Sequence, residues 1–428
     1  MPSTLYGSRA RQLTFELAQV LYPAWSPDGR RLVFCGTRQE GDAQVRLWCV
    51  DPDSGELRGL GSEDLEISSE GDSLQFPGGD AHRVLAVVAR HGVQEVVEIG
   101  VPGGELRPLV TGDRQVAKLA CGRDWLAYTA ESPVAAMELF ACRHDGSGEK
   151  RLGRFNGWWD ERVPARMERR RFPVPDGRGG TEEIDGWWIR AEGASGPGPL
   201  LLDVHGGPAS YVLFNYPPAA YWSVLWSQGW SILAPNAVGS ASYGRAFARR
   251  LRGHWGELDL PQMLAAVEQL RAAGEADGRV AIAGKSYGGF MAAWAIGTTE
   301  AFRAAAVLAP VSNIETHYAT SDSGFYADPY SADGERSVNR ETMRRLSPTQ
   351  HVERARTPTL ILHGEADERC PLSQSEELFV AMRRGARPPC ELVIYPGGTH
   401  KFTSQGKPSH RLDAMRRIVE WLTRWVDR

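Results

Sequence analysis

The segment that most constrains this chain is RVAIAGKSYGGF, Arg279 to Phe290. An apolar strand pattern runs straight into Gly284-Lys285-Ser286-Tyr287-Gly288-Gly289, and the apolar run MAAWAI that follows reads as helix. A chain that passes from strand to helix in so few residues turns sharply, and a serine at the apex stands clear of the sheet. A Cβ at Gly284 or Gly288 would collide with that turn, and Gly289 lets helix and strand approach. Ser286 is therefore the expected nucleophile.

Residues 161–428 carry the pattern such a turn requires. The segments PLLLDV, WSILAPN, RVAIAG, AAAVLAPV, TLILHG and ELVIYP are near-continuous apolar runs that alternate with helical stretches. Runs of that kind suit parallel strands buried on both faces. Asp259 opens a helix with Gln262 three residues on, resembling a capping box. Its apolar face reads Met263, Leu264, Val267 and Leu270. In the last helix the stripe reads Leu412, Met415, Val419, Leu422 and Val426.

Residues 1–160 have a different grammar. WSPDGRRLVF (25–34) is a Pro-Asp-Gly turn followed by a strand, VRLWCV (45–50) is the next strand, and DPDSGELRGL adds a turn and a short strand. GELRGL from Gly55, GELRPL from Gly104 and GEKRLG from Gly148 repeat this unit, as do the strands HRVLAVVA (82–89) and DWLAYTA (124–130). A period of roughly 40 to 50 residues built from short strands signals propeller blades. Only about three blades fit, whereas closed propellers have about four to eight. The expectation is an open partial propeller whose edges a second copy of the chain covers. Residues 157–197 join the two regions. Arg169, Arg170 and Arg171 read there as solvated linker, and IDGWWIRA (184–191) as the first strand of the new sheet.

A serine hydroxyl needs a neighbouring base to act as a nucleophile. In the α/β-hydrolase order, nucleophile, acid and histidine follow one another on loops after successive strands. ELVIYPGGTH ends a strand in a Gly-rich loop bearing His400, which becomes the candidate base. His410 begins the terminal helix, while His254, His317, His351 and His363 precede or sit away from that loop. After TLILHG, Glu365, Asp367 and Glu368 are all within reach; Asp367, in mid-loop, is chosen as the acid that fixes the imidazole tautomer. The oxyanion donors are the backbone N–H of Tyr287 and that of Gly207 in the His205-Gly206-Gly207-Pro208 loop, each worth roughly 3 kcal/mol. His205 is expected to orient that loop. Tyr211, Phe214, Tyr216, Tyr221 and Trp222 either line an apolar substrate pocket or pack in the core. Arg369 either meets a substrate carboxylate or carbonyl or pairs with Glu365 or Glu368.

Composition narrows the remaining classes. The chain has 428 residues, 42% apolar and 24% charged, with a net charge of −4. That balance argues against a protein that coats nucleic acid. None of the six cysteines forms a CxxC pair, which leaves zinc and dithiol chemistry without support. Cys35 and Cys49 could meet across a hairpin, though reduced core cysteines are the plainer expectation. The opening MPSTLYGSRARQ lacks a signal-peptide core and no run approaches a membrane span, so a cytoplasmic location without membrane contact is expected.

In this order and spacing, HGGP, GKSYGGF, HGEADERCPLSQSEELF and YPGGTH resemble the prolyl oligopeptidase family of serine peptidases, in particular its acylaminoacyl-peptidase branch. The resemblance is dense over residues 165–428, including NAVGSASYGRAFARRLRGHWGELD, and WSPDG extends it into the N-terminal half. It implies a propeller over the mouth of the hydrolase, hydrolysis of short or N-acylated peptides, and no cofactor. It also implies Ser286, Asp367 and His400 as triad, with Gly207 and Tyr287 as oxyanion donors. The chain departs from the pattern in two ways. The propeller is about half the usual size, so size exclusion does not follow, and Val238 stands where the family often has arginine before the glycine. The rival expectations are an esterase or amidase for a specialised small molecule, and an interaction scaffold with an inactive hydrolase.

Overall fold

The structure is a computed structural model that describes residues 11–68, 74–214, 220–385 and 387–427. Its N-terminal part is built from three four-stranded antiparallel sheets. The first comprises β1 (Gln19–Trp25), β2 (Leu32–Thr37), β3 (Arg46–Val50) and β4 (Leu57–Leu60). The second comprises β5 (Glu66–Ile67), β6 (Arg83–Arg90), β7 (Val93–Gly100) and β8 (Leu106–Val110), and the third β9 (Gln115–Cys121), β10 (Trp125–Ser132), β11 (Ala135–Arg143) and β12 (Lys150–Arg151). Strands in each sheet pair in chain order, as propeller blades do.

The turn between β1 and β2 is held by the residues of WSPDG themselves. Ser26 Oγ donates to Asp28 at 2.7 Å and accepts from Arg31 N at 2.9 Å, and Gly29 takes a φ of +72°. The middle sheet is covered on both sides. Val84, Ala86 and Val88 pack with Val33, Cys35 and Leu47 of the first sheet, while Leu85 and Val87 pack with Leu126 and Tyr128 of the third. Successive residues of a strand face opposite ways, so VLAVVA is apolar throughout because both of its faces are buried. All six cysteines are free thiols.

The C-terminal part is an eight-stranded sheet: β13 (Ala165–Pro175), β14 (Thr181–Ala191), β15 (Gly198–Val204), β16 (Ser231–Asn236), β17 (Ala276–Lys285), β18 (Ala304–Leu308), β19 (Thr359–Gly364) and β20 (Cys390–Tyr395). The order is β13-β14-β16-β15-β17-β18-β19-β20. The first two strands run antiparallel, and every pairing from β16 to β20 is parallel. Helices Asp259–Ala272, Tyr287–Thr298 and Leu372–Arg384 cover one face, and Ala220–Ser227 and Pro408–Val426 the other. This is the α/β-hydrolase architecture.

Three local expectations change. The stretch read as linker contains β13, and Arg169, Arg170 and Arg171 lie within it, opposite Trp187, Gly186 and Asp185 of β14. Arg169 lies over the Trp187 ring and Arg170 over Trp188, and Arg170 is paired with Glu168 and Glu275. An edge strand tolerates Pro173 and Pro175, because one side of its backbone needs no partner. The expected capping box at Asp259 is absent. The Asp259 carboxylate accepts from Gly256 N and Tyr287 O–H, while Gln262 bonds Val238 N, Pro175 O and Glu182. In the last helix Val419, Leu422 and Val426 are buried as expected and Met415 partly so, Ala414, Ile418 and Trp421 widen the stripe, and Leu412 is 72% exposed.

Polar contacts seat the N-terminal sheets on the hydrolase. Ser242 Oγ accepts from Gly92 N at 2.8 Å, Ser242 N donates to Glu66 at 2.7 Å, and Arg245 N donates to Asp64 at 2.9 Å. Buried Asp42 receives both Arg245 and Arg249. These contacts place loops of the first two sheets above the carboxyl ends of the parallel strands, where α/β folds bind ligands.

Candidate active site

Ser286 sits between β17 and the helix Tyr287–Thr298 with φ 61° and ψ −118°. That conformation costs a non-glycine residue roughly 1–3 kcal/mol and persists only when the surroundings enforce it. They do so from both sides: Ser286 N donates to Leu308 O at 2.9 Å, and Phe290 N donates to Ser286 O at 2.8 Å. The flanking glycines are obligatory for the same reason. A Cβ on Gly284 would lie 2.5 Å from the Gly288 backbone, one on Gly288 2.0 Å from Val204 O, and one on Gly289 2.6 Å from Leu308 O.

His400 and Asp367 meet as expected from the chain order, with Nδ1 donating to Asp367 Oδ2 at 2.8 Å. Asp367 is buried, and its Oδ1 accepts from Arg369 N at 3.0 Å and Cys370 N at 2.8 Å. Glu365 bonds the backbone of Gly397 at 2.9 Å and takes no part in this contact. Burial holds the His400 pKa below its ordinary value; Asp367 opposes that shift, and Lys285 and Arg369 add to it. Ser286 Oγ lies 3.9 Å from Cys370 Sγ, and no hydrogen bond joins it to His400 among the described residues. Such bonds are often long before substrate binds. Ser286 and His400 nevertheless line the same two cavities, of about 380 and 700 Å³.

Both expected oxyanion donors adjoin the serine. Tyr287 N opens the helix after Ser286. Gly207 lines both cavities, and its φ of +132° is one that L side chains rarely adopt. A Cβ on neighbouring Gly206 would come within 3.5 Å of the Ser286 Cβ, so the loop passes directly over the nucleophile. His205 braces that loop, with Nδ1 on Gly206 O at 2.7 Å and Nε2 on Ser240 Oγ at 3.0 Å. A carbonyl only accepts, so Nδ1 carries the proton, and burial keeps the ring neutral by lowering its pKa.

The candidate substrate residues separate. Tyr211, Tyr221 and Trp222 line the smaller cavity. Tyr211 also accepts from Gln94 at 2.9 Å, and Tyr221 and Trp222 both donate to buried Asp203. Phe214 is not part of the cavity wall. It packs edge-on against Trp187, its centroid 4.8 Å away, and its N–H donates to Gln115 at 2.7 Å across to the third sheet. Tyr216 lies outside the described residues. Arg369 lines the larger cavity but pairs with Asp322 at 2.7 Å, in place of the expected Glu365 or Glu368. Val238 is buried with its N–H on Gln262.

Sequence reasoning passed over other residues here. His317 donates from Nδ1 to Asp328 at 2.8 Å and from Nε2 to Arg369 O at 2.9 Å. Two acceptor-only partners require both ring protons, so His317 is an imidazolium, in keeping with a pKa raised to about 10. It ties the wall of the larger cavity to the loop that carries Asp367. His363 Nε2 donates to Cys370 O at 2.7 Å and steadies the other end of that loop. Lys285 was visible inside the GKSYGG motif, although nothing local marked its surroundings. Among the described residues no cluster of three or more His, Cys, Asp or Glu could hold a metal ion.

The chain is similar to known proteins in sequence and in fold. Residues 219–428 match the profile of the Prolyl oligopeptidase family. The chain is 31% identical over 242 residues to the uncharacterized peptidase YuxL of Bacillus subtilis, covering 56% of this chain and 36% of that protein. It is 25% identical over 424 residues to dipeptidyl-peptidase 5 of Porphyromonas gingivalis, covering 95% of this chain and 59% of that one. A structure of Pyrococcus horikoshii acylaminoacyl peptidase superposes with a TM-score of 0.80 at 26% identity, over 93% of this chain and 62% of that chain. This chain thus spans roughly one-third to three-fifths of the relatives it matches. Its C-terminal half belongs to the prolyl oligopeptidase family.

Proposed function

We propose that the chain is a serine peptidase that hydrolyses short or N-acylated peptides through an acyl-enzyme. The observation that carries this reading is the His400–Asp367 bond at 2.8 Å beside a serine held at positive φ. His400 Nε2 accepts the Ser286 proton as Oγ attacks the scissile carbonyl, and the N–H groups of Gly207 and Tyr287 receive the oxyanion. His400 then passes the proton to the departing amine, and water repeats the sequence to free the acid. The choice of peptides draws on relatives named as acylaminoacyl and dipeptidyl peptidases. It draws also on an acylaminoacyl peptidase, 26% identical, solved with Z-Gly-Gly-Phe-chloromethyl ketone. Arg369, fixed by Asp322 at the wall of the larger cavity, is positioned to meet a substrate carbonyl or carboxylate there.

Two further parts of the proposal concern surroundings. A second copy of the chain covers the open edge of the first sheet, where Val20 and Trp25 of β1 are exposed; a monomer in light scattering at micromolar concentration would contradict it. The six free thiols favour a reducing, cytoplasmic compartment.

The test is hydrolysis of chromogenic substrates by wild type and Ser286→Ala. Ser286-dependent cleavage of acetylated amino-acid anilides is expected. Activity on free amino-acid or dipeptide anilides alone would move the assignment to an aminopeptidase. Turnover of short-chain esters alone would move it to a small-molecule esterase.

A further inference from the structure

The smaller cavity holds a charge with no direct partner among the described residues. Lys285 lines it beside Ser286 and His400, and among the described residues its ammonium makes neither a hydrogen bond nor an ion pair. It lies 6.0 Å from the centroid of the Phe402 ring, and Asp367 favours its charge from beyond ion-pair distance. The nearby carboxylates are already engaged: Asp367 by His400 and two backbone N–H groups, and Asp203 by Tyr221 and Trp222. Burial lowers the Lys285 pKa to about 8, which leaves it mostly protonated at neutral pH.

An unpaired cation at this place is costly in two ways. It gives up part of its hydration without gaining a direct partner. It also opposes the positive charge that His400 must take on during the reaction, and it already pushes the His400 pKa down. A ligand carboxylate would remove both costs at once.

The cavity is shaped for such a ligand. At about 380 Å³ it is at the small end of ligand pockets, and Tyr211, Val212, Tyr221 and Trp222 give it an apolar wall around the single cation. His400 borders both cavities, but Thr403 from the same loop lines the smaller one and not the larger, which suits the smaller to the leaving amine that His400 protonates. The larger cavity, reaching from Ser286 to Gly41 and Asp42 of the first sheet, is left for the acyl part.

We propose that the smaller cavity is the subsite for a leaving group that carries a carboxylate, and that Lys285 selects it. This rests on the serine peptidase reading above and adds the chemistry of one side of the scissile bond. The carboxylate is either the α-carboxylate of a C-terminal residue or the side chain of Asp or Glu.

The test uses the full chain and three peptides: acetyl-Phe-Gly, its C-terminal amide, and acetyl-Phe-Glu-amide. For each, kcat/KM is measured along with the concentration that half-protects Ser286 from a fluorophosphonate probe, which reads binding with or without turnover. At least one acidic peptide should exceed the neutral amide about tenfold, the scale of one charge-assisted contact. Whichever acidic peptide gains identifies the source of the carboxylate. Lys285→Met should bring the ratio of acidic to neutral close to one, and Lys285→Arg should restore it. A wild-type ratio near one, or a ratio unmoved in Lys285→Met, overturns the subsite. Failure of Ser286 to react with the probe in wild type would instead overturn the peptidase reading on which the subsite stands.

Discussion

Replacing Asp367 with asparagine tests the site at its most determined point. Oδ1 of Asp367 accepts two backbone N–H groups, from Arg369 at 3.0 Å and Cys370 at 2.8 Å, while Oδ2 accepts His400 Nδ1 at 2.8 Å. An asparagine amide has one acceptor end and one donor end. Turning its NH2 toward the two backbone donors would leave both buried and unsatisfied, at about 1–3 kcal/mol each. The amide oxygen therefore takes the Oδ1 place, and the NH2 faces His400. Nδ1 must then accept, which moves the ring proton to Nε2, the atom that should receive the Ser286 proton. The expected loss in kcat is about 10⁴-fold, or about 5.5 kcal/mol, as the wrong tautomer produces in other triads. The assay is steady-state hydrolysis of the best ester or anilide from the substrate panel, with thermal melting to verify the fold. Because both backbone bonds survive, the melting temperature should move little. Glu365→Gln serves as control and should retain activity within about threefold, since Glu365 touches only Gly397 N. If Asp367→Asn keeps more than a tenth of the Ser286-dependent rate while folded, Asp367 does not orient the base.

Other outcomes follow from the same structure. His400 must be unprotonated to act and its pKa is held below 6.5, with Lys285 and Arg369 disfavouring its charge and Asp367 favouring it. So kcat/KM should fall in acid with a midpoint below pH 6.5, and Lys285→Met should raise that midpoint; a wild-type midpoint above 6.5 would contradict the burial argument. Glu66, buried where Ser242 docks, has its pKa raised from 4.5 to about 7. The folded state therefore binds its proton more tightly than the unfolded chain, so stability is lost as pH rises through this interval, by roughly 3 kcal/mol once above 7. Glu66→Gln should melt higher than wild type at pH 8, and that advantage should shrink toward pH 5; an equal advantage at both would refute the linkage. Gly288→Ala forces a Cβ to within 2.0 Å of Val204 O, a backbone atom, and should cost about 3 kcal/mol or more in denaturant unfolding.

Much of the site was legible because its requirements are local. A serine between strand and helix needs glycines at fixed offsets, and those offsets are written in GKSYGG. The His400 loop and the Asp367 loop each follow a mostly apolar strand, so chain order could pair them before any contact was known. The alternation of short strands and turns in the N-terminal half is local in the same sense, and it announced the sheets. What stayed hidden depends on distant residues. Strand β13 has the composition of a linker, and only the register that sets Arg169 opposite Trp187 makes it a strand. Helical periodicity found the stripe of the last helix at Val419, Leu422 and Val426 but not its full width, since the sheet that also buries Ala414, Ile418 and Trp421 lies far off in sequence.

The sequence by itself determined the fold class, the nucleophile and the order of its partners, because each rests on backbone geometry or periodicity within a dozen residues. Tertiary structure alone decided which charges are answered. Arg369 finds Asp322 rather than its sequence neighbours, His317 finds Asp328 and the Arg369 carbonyl, and Phe214 turns away from the cavity to meet the third sheet. Lys285 is left facing the cavity with no ion-pair partner among the described residues. Electrostatic partners are chosen by distance in space, and that distance is set only once the loops of separate strands converge on the same end of the sheet.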